Sequence, residues 1–170
     1  MERLEVINPF INKKEEKFLK NIAERTYKFI HPDVATLFAV MSSLVSFVLY
    51  VYLNGNPISY FLCSLAVIAH YVFDGIDGKI AKLRCMSRKN GYFIDKISDY
   101  ISSCFFVAGF FYALTRNVFT VGFLLVLTSV VHAIYLHYYL KRGVNVKIGG
   151  TESRIVLIAL NMYMLAKSYL

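Results

Sequence analysis

The chain has 170 residues, 57% of them hydrophobic and only 18% charged, with a mean hydropathy of +0.51. That composition excludes an ordinary soluble domain, and the apolar residues come in blocks close to the length that crosses about 30 Å of hydrocarbon. A formal net charge of +8 would suit a nucleic-acid binder, but its distribution along the chain assigns it to membrane orientation, with no nucleic-acid partner.

Residues 13–30 mix Lys and Glu with Phe18, Leu19, Ile22, Ala23 and Phe29. Apolar residues at helical spacing beside a Lys-rich face predict an amphipathic helix, either lying in the membrane interface or solvated and leading into the first span. His31-Pro32-Asp33 marks the turn into that span, because Pro suits a first helical turn. Spans are predicted near 33–53, 58–83, 91–114, 118–140 and 152–169. Asn54-Gly55-Asn56-Pro57 and Thr115-Arg116-Asn117 read as short turns on one side of the membrane, and 83–90 and 141–150 as basic loops on the other. Thr151 is a candidate N-cap for the last span. The fold class is therefore all-α: a polytopic membrane helix bundle of about five transmembrane helices. Residues 1–31 form a cytoplasmic or interfacial helix, and 32–170 the transmembrane domain.

Seventeen of the nineteen Lys and Arg residues fall before the first span, around 79–96, or at 141–154; Arg116 and Lys167 fall opposite. The positive-inside rule then puts the N-terminus and the basic loops in the cytoplasm, for a multi-pass integral protein of the cell membrane in contact with anionic lipid heads. Cys63, Cys85 and Cys104 are odd in number and lack C-x-x-C spacing, which argues against a disulfide framework or a zinc site. The first thirty residues lack the apolar core of a cleavable signal peptide.

Between Val34 and Thr151 the acidic residues are Asp74, Asp77, Asp95 and Asp99. They are spaced i, i+3 on the second span and i, i+4 on the third, which keeps each pair on one helix face. The short loop between these antiparallel spans predicts that they are neighbours with all four acids at one depth, in the cytoplasmic third. A carboxylate at mid-bilayer costs about 2.5–3.5 kcal/mol, and four of them repel one another unless cations intervene. Nearby Lys79, Lys82 and Lys96 offset part of this, and a cluster of hard oxygens suits Mg²⁺ or Mn²⁺, as a pair of ions, better than Zn²⁺. Gly75, Gly78 and Ala81 recur every three residues as a stripe almost without side chains. Such a stripe serves either close helix packing or a groove for a flat ligand; beside acids and a basic loop, a nucleotide groove is the preferred reading. His70, one turn before Asp74, is either a hydrogen-bonded core residue or an orienter of a carboxylate.

The run Asp74-x2-Asp77-Gly78-x2-Ala81-Lys82-x8-Gly91-x3-Asp95-x3-Asp99 resembles the signature of the CDP-alcohol phosphotransferase family, D-x2-D-G-x2-A-R-x8-G-x3-D-x3-D. Every spacing is kept, and Lys82 stands where the family has Arg. Pro32-Asp33-x2-Thr36 is similar to the family's P-N-x2-T, with Asp33 in place of Asn. The resemblance implies transfer of a phosphate-linked group from a CDP-activated alcohol, in most members a CDP-lipid, to a hydroxyl acceptor with release of CMP, as in phospholipid synthesis. It implies that Asp74, Asp77, Asp95 and Asp99 hold Mg²⁺ or Mn²⁺ and that Asp99 is also the general base. Gly75, Gly78, Ala81 and Gly91 would line the cytidine pocket, with Lys82, Asp33 and Thr36 as further nucleotide contacts. The family usually has six spans, and a homodimer is expected to complete the wall of a five-span bundle.

On the acceptor side, Arg142, Lys147 and Arg154 are candidates for binding a phosphate, or reflect orientation alone. The alternative function is a membrane cation or proton transporter using the intramembrane aspartates. Against it, the four acids crowd at one depth and no polar chain continues to the far side.

Overall fold

Local capping chemistry sets the helix boundaries. A computed structural model describes residues 5–6, 12–53, 56–86, 91–142, 145–146 and 150–169. Helix α1 is Asn12–Thr26, α2 Pro32–Leu53, α3 Pro57–Leu83, α4 Gly91–Thr115, α5 Val118–Arg142 and α6 Gly150–Lys167. Pro32 and Pro57 each occupy a first-turn position where the missing N–H costs nothing. The Asn56 side chain accepts from Ile58 N at 3.1 Å, and Asn117 Oδ1 accepts from Phe119 N at 2.9 Å, so both predicted turns end in an Asn cap. At the other end of α3, Cys85 takes φ 55° and Met86 N donates to Ala81 O at 2.8 Å, the left-handed cap that usually falls to Gly. The last helix opens at Gly150, so Thr151 lies inside its first turn and does not precede it. Glu5–Val6 pairs in parallel with Asn145–Val146, a two-residue bridge beside an otherwise helical fold.

Helix α2 is the hub. It packs against α3 and α4; α6 and α1 pack on α3, and α5 packs on α4. Its inner stripe of Ala35, Ala39, Ser43 and Ser46 is buried and small, which lets two helices approach it closely. A Cβ on Gly109 of α4 would lie 2.9 Å from Phe47 Cα, so that crossing needs a glycine. Helices α3 and α4 face each other, but their Cα atoms stay more than 8 Å apart among the described residues. The two spans are neighbours, as the short loop predicts, but through side chains and not close backbone packing. Both lean on α2, and only side chains meet across the gap.

Two clusters close the bundle. Tyr50, Tyr60, Cys63 and Phe110 pack at one end, joined by Leu157, Met164 and Leu165 of α6. There the buried Tyr50 OH donates to Asn161 Oδ1 at 2.6 Å, tying α2 to α6. At the other end Leu19 and Ala23 of α1 join Ala35, Ile76 and Ile80. The apolar stripe of α1 is therefore spent on α2 and α3, while Phe18 and Phe29 remain exposed, Phe29 at 86%.

Among the described residues, three helices, Pro32–Leu53, Pro57–Leu83 and Phe93–Thr115, are long and apolar enough to cross a membrane, and Val118–Ile134 is a shorter apolar stretch. Their outward residues, such as Leu37, Met41, Val45 and Val48 of α2, are exposed and apolar, as a lipid-facing surface requires. The sequence predicts five spans; α6, with Arg154 and Lys167, is not among the helices that meet this measure.

Candidate active site

Asp74 and Asp77 come from the end of α3, Asp95 and Asp99 from the start of α4. Asp74, Asp77 and Asp95 can each place one carboxylate oxygen within 4.8 Å of the others. Asp77 is the deepest, 9% exposed, and Thr36 Oγ1 of α2 donates to its Oδ2 at 2.6 Å. Thr36, expected as a nucleotide contact, thus orients a carboxylate of the cluster. Asp99 stands beside the group of three: Lys96 Nζ donates to its Oδ2 at 3.0 Å and lies 3.7 Å from Asp95 Oδ2. Of the three lysines expected to offset the acids, Lys96 is brought against two of them, and Lys82 is exposed.

Arg154 reaches the site from α6. Its Nη2 is 2.7 Å from Asp74 Oδ2 and 3.8 Å from Asp99 Oδ1. Arg142 closes α5, with its side chain outside what the structure describes, and Lys147 lies outside the described residues, as do Ser87 to Asn90 of the α3–α4 loop. Of the three acceptor-side candidates, Arg154 is therefore the one whose side chain the structure places at the acids.

The glycines divide into two kinds. A Cβ on Gly75 would lie 2.7 Å from Leu19 Cδ1, so α1 already covers that position. Nothing lies within 4 Å of the Cβ positions of Gly78 and Gly91, which face open space. Steps of three residues fall short of a helical turn by about 60°, so the stripe winds around α3 and its first member turns toward α1. Gly75 belongs to helix packing, which corrects its assignment to the nucleotide groove. Ala81 is half-buried one step beyond Gly78. Asp33 and Thr36 line a groove of about 300 Å³ with Leu37, Val40 and Ile94, at the small end of ligand pockets.

His70, expected as a core residue or an orienter, is buried with its ring 5.2 Å from that of Phe106, edge to face across the α3–α4 gap. Its Nδ1 has no hydrogen-bond partner. The contacts that sequence reasoning missed, Leu19 on Gly75 and Arg154 on Asp74, join residues far apart in the chain and leave no local signal.

Three carboxylates from two helices, one of them oriented by a hydroxyl, form a hard-oxygen donor set that fits Mg²⁺ or Mn²⁺. Residues 29–170 match the family described as CDP-alcohol phosphatidyltransferase. No curated protein and no solved structure matches the chain. The family is one of integral membrane transferases that act on CDP-alcohols and generally depend on divalent metal, and the matched region contains all four acids, both open glycines and Arg154. With the helical bundle and the carboxylate cluster both in place, the chain belongs to the CDP-alcohol phosphatidyltransferase family.

Proposed function

We propose that the chain transfers a phosphatidyl-type group from a CDP-lipid to the hydroxyl of a small acceptor, with release of CMP. The observation that carries this reading is the convergence of Asp74, Asp77 and Asp95 from two helices whose backbones stay apart. Divalent cations bound there would neutralise charge on the non-bridging phosphate oxygens. Asp74, Asp77 and Asp95 would hold them, with Thr36 keeping Asp77 in register. Asp99 takes the proton from the acceptor hydroxyl as its oxygen bonds to phosphorus, and the bond from phosphorus to CMP breaks, CMP leaving with the electron pair. Lys96, at 3.0 Å, orients Asp99 for that task.

Gly78 and Gly91 leave room for the nucleotide to approach the backbone, with Ala81, Asp33 and Lys82 as further contacts. Lys82 keeps a positive charge but lacks the bidentate fork of an Arg. Arg154 supports an acceptor that carries a phosphate, such as inositol phosphate or glycerol phosphate. The site faces the cytoplasm, as the placement of seventeen of nineteen basic residues supports. The chain works as a homodimer with residues 1–31 as an N-terminal cytoplasmic unit; light scattering in detergent tests the dimer.

The assay is CMP release by the purified full chain with a CDP-lipid, Mg²⁺ or Mn²⁺, and a panel of inositol phosphate, glycerol phosphate, inositol and serine. Release with at least one acceptor, lost on chelation, is expected. Ion flux in liposomes without any CMP release would favour transport instead.

A further inference from the structure

One guanidinium touches both halves of the carboxylate site. Arg154 Nη2 lies 2.7 Å from Asp74 Oδ2 on α3 and 3.8 Å from Asp99 Oδ1 on α4. The Arg154 and Asp74 side chains are only 15% and 17% exposed, so water screens the pair weakly. The contact joins residues 80 apart in the chain. In the same position its Cζ lies over the Tyr71 ring, 6.0 Å from the centroid. Two turns further along the same face of α6, Asn161 accepts from Tyr50 of α2 in a buried bond. Helix α6 is thus anchored independently of Arg154, and this side chain can move without the helix leaving the bundle.

We propose that Arg154 is a competing cation that couples metal loading to capture of a substrate phosphate. The proposal rests on the reaction assigned above and adds its binding order. Asp74 belongs to two partnerships at once, the group of three carboxylates and the pair with Arg154. A divalent cation on Asp74 repels a guanidinium held on the same carboxylate, and the repulsion is strong where solvent is scarce. Loading the cluster therefore weakens the hold of Asp74 and Asp99 on Arg154. The Tyr71 ring, which attracts a cation, keeps the released guanidinium near the site, and its planar fork then matches a phosphate better than a shared carboxylate does. Linkage makes the effect reciprocal: a phosphate that captures Arg154 tightens the cation by the same factor. Metal binds first, and the phosphate-bearing substrate second.

The phosphate has two possible sources, a monoester on the acceptor or the diphosphate of the donor, and the experiment separates them. The full chain in detergent is titrated with Mn²⁺, the free ion being read by electron paramagnetic resonance. Arg154→Gln is expected to bind Mn²⁺ about tenfold more tightly than wild type, within the range of about 5–150-fold typical of coupled sites. Equal or weaker binding overturns the proposal. In the wild-type chain, glycerol 3-phosphate or CDP, corrected for its own Mn²⁺ association and compared with glycerol or cytidine, is expected to tighten Mn²⁺ several-fold. The probe whose effect disappears in Arg154→Gln identifies the source. The proposal falls if neither probe tightens Mn²⁺ in wild type, an arm that holds even if the variant does not fold, or if both act equally on the variant. None of these readouts needs turnover, so failure of CMP release would refute the reaction and leave the coupling measurable.

Discussion

Thr36 on α2 hydrogen-bonds Asp77 on α3 through a 2.6 Å contact, and this bond fixes one of the three convergent carboxylates to the hub helix. Pro32 O lies 3.3 Å from the same hydroxyl, a longer alternative acceptor for its single proton, so the 2.6 Å bond to Asp77 is the one that holds it. Thr36→Val keeps the shape but strips the donor from a nearly buried carboxylate. The expected result is a loss of about 1–3 kcal/mol in stability together with weaker Mn²⁺ binding. Thr36→Ser should restore both in thermal melts and metal titrations.

Asp95→Asn removes a charge from the three-carboxylate group while preserving volume. CMP release should fall by roughly 10²–10³-fold, the scale of removing one preorganised electrostatic contact. Circular dichroism should report an unchanged helical bundle, since Asn keeps the volume of Asp95 and removes its repulsion with Asp74 and Asp77. A variant that turns over at the wild-type rate would contradict the assignment of the site.

The two kinds of glycine make opposite predictions. Gly75→Leu forces a side chain into Leu19 and should unseat α1, costing about 1–3 kcal/mol by overpacking. The Cβ of Gly78→Leu meets nothing within 4 Å, so the melting temperature should hold while KM for the CDP-lipid rises at least several-fold. If Gly78→Leu leaves KM unchanged, the open face of α3 is not the nucleotide side.

Tyr50→Phe deletes the buried donor to Asn161 at the far end of the bundle from the acids. An orphaned amide oxygen there should cost about 1–2 kcal/mol, read as a lower melting temperature with kcat preserved. Combining it with Asn161→Leu removes both polar partners and should recover most of the loss. Recovery would identify the pair as a packing tie with no part in the chemistry.

Much of the architecture was legible from residues alone, because its signals are local. Apolar run length predicts α2 to α5 within one or two residues at most ends, and Pro32, Pro57, Asn56 and Asn117 mark where helices begin. The i, i+3 and i, i+4 spacing of the acids placed each pair on one helix face, and the family signature runs through them. What the sequence left open was which long-range partner each face would choose. The helical step of 100° per residue turned Gly75 away from Gly78 and under Leu19, although both looked like one stripe. The small face of α2 drew α3 and α4 onto it and so kept them apart, leaving side chains alone to form the site. Asp77 acquired Thr36 and Asp74 acquired Arg154 across 41 and 80 residues of chain. Periodicity and capping are decided within a few residues by backbone geometry. The partners of a carboxylate are decided by how whole helices pack, and only the tertiary structure contains that choice.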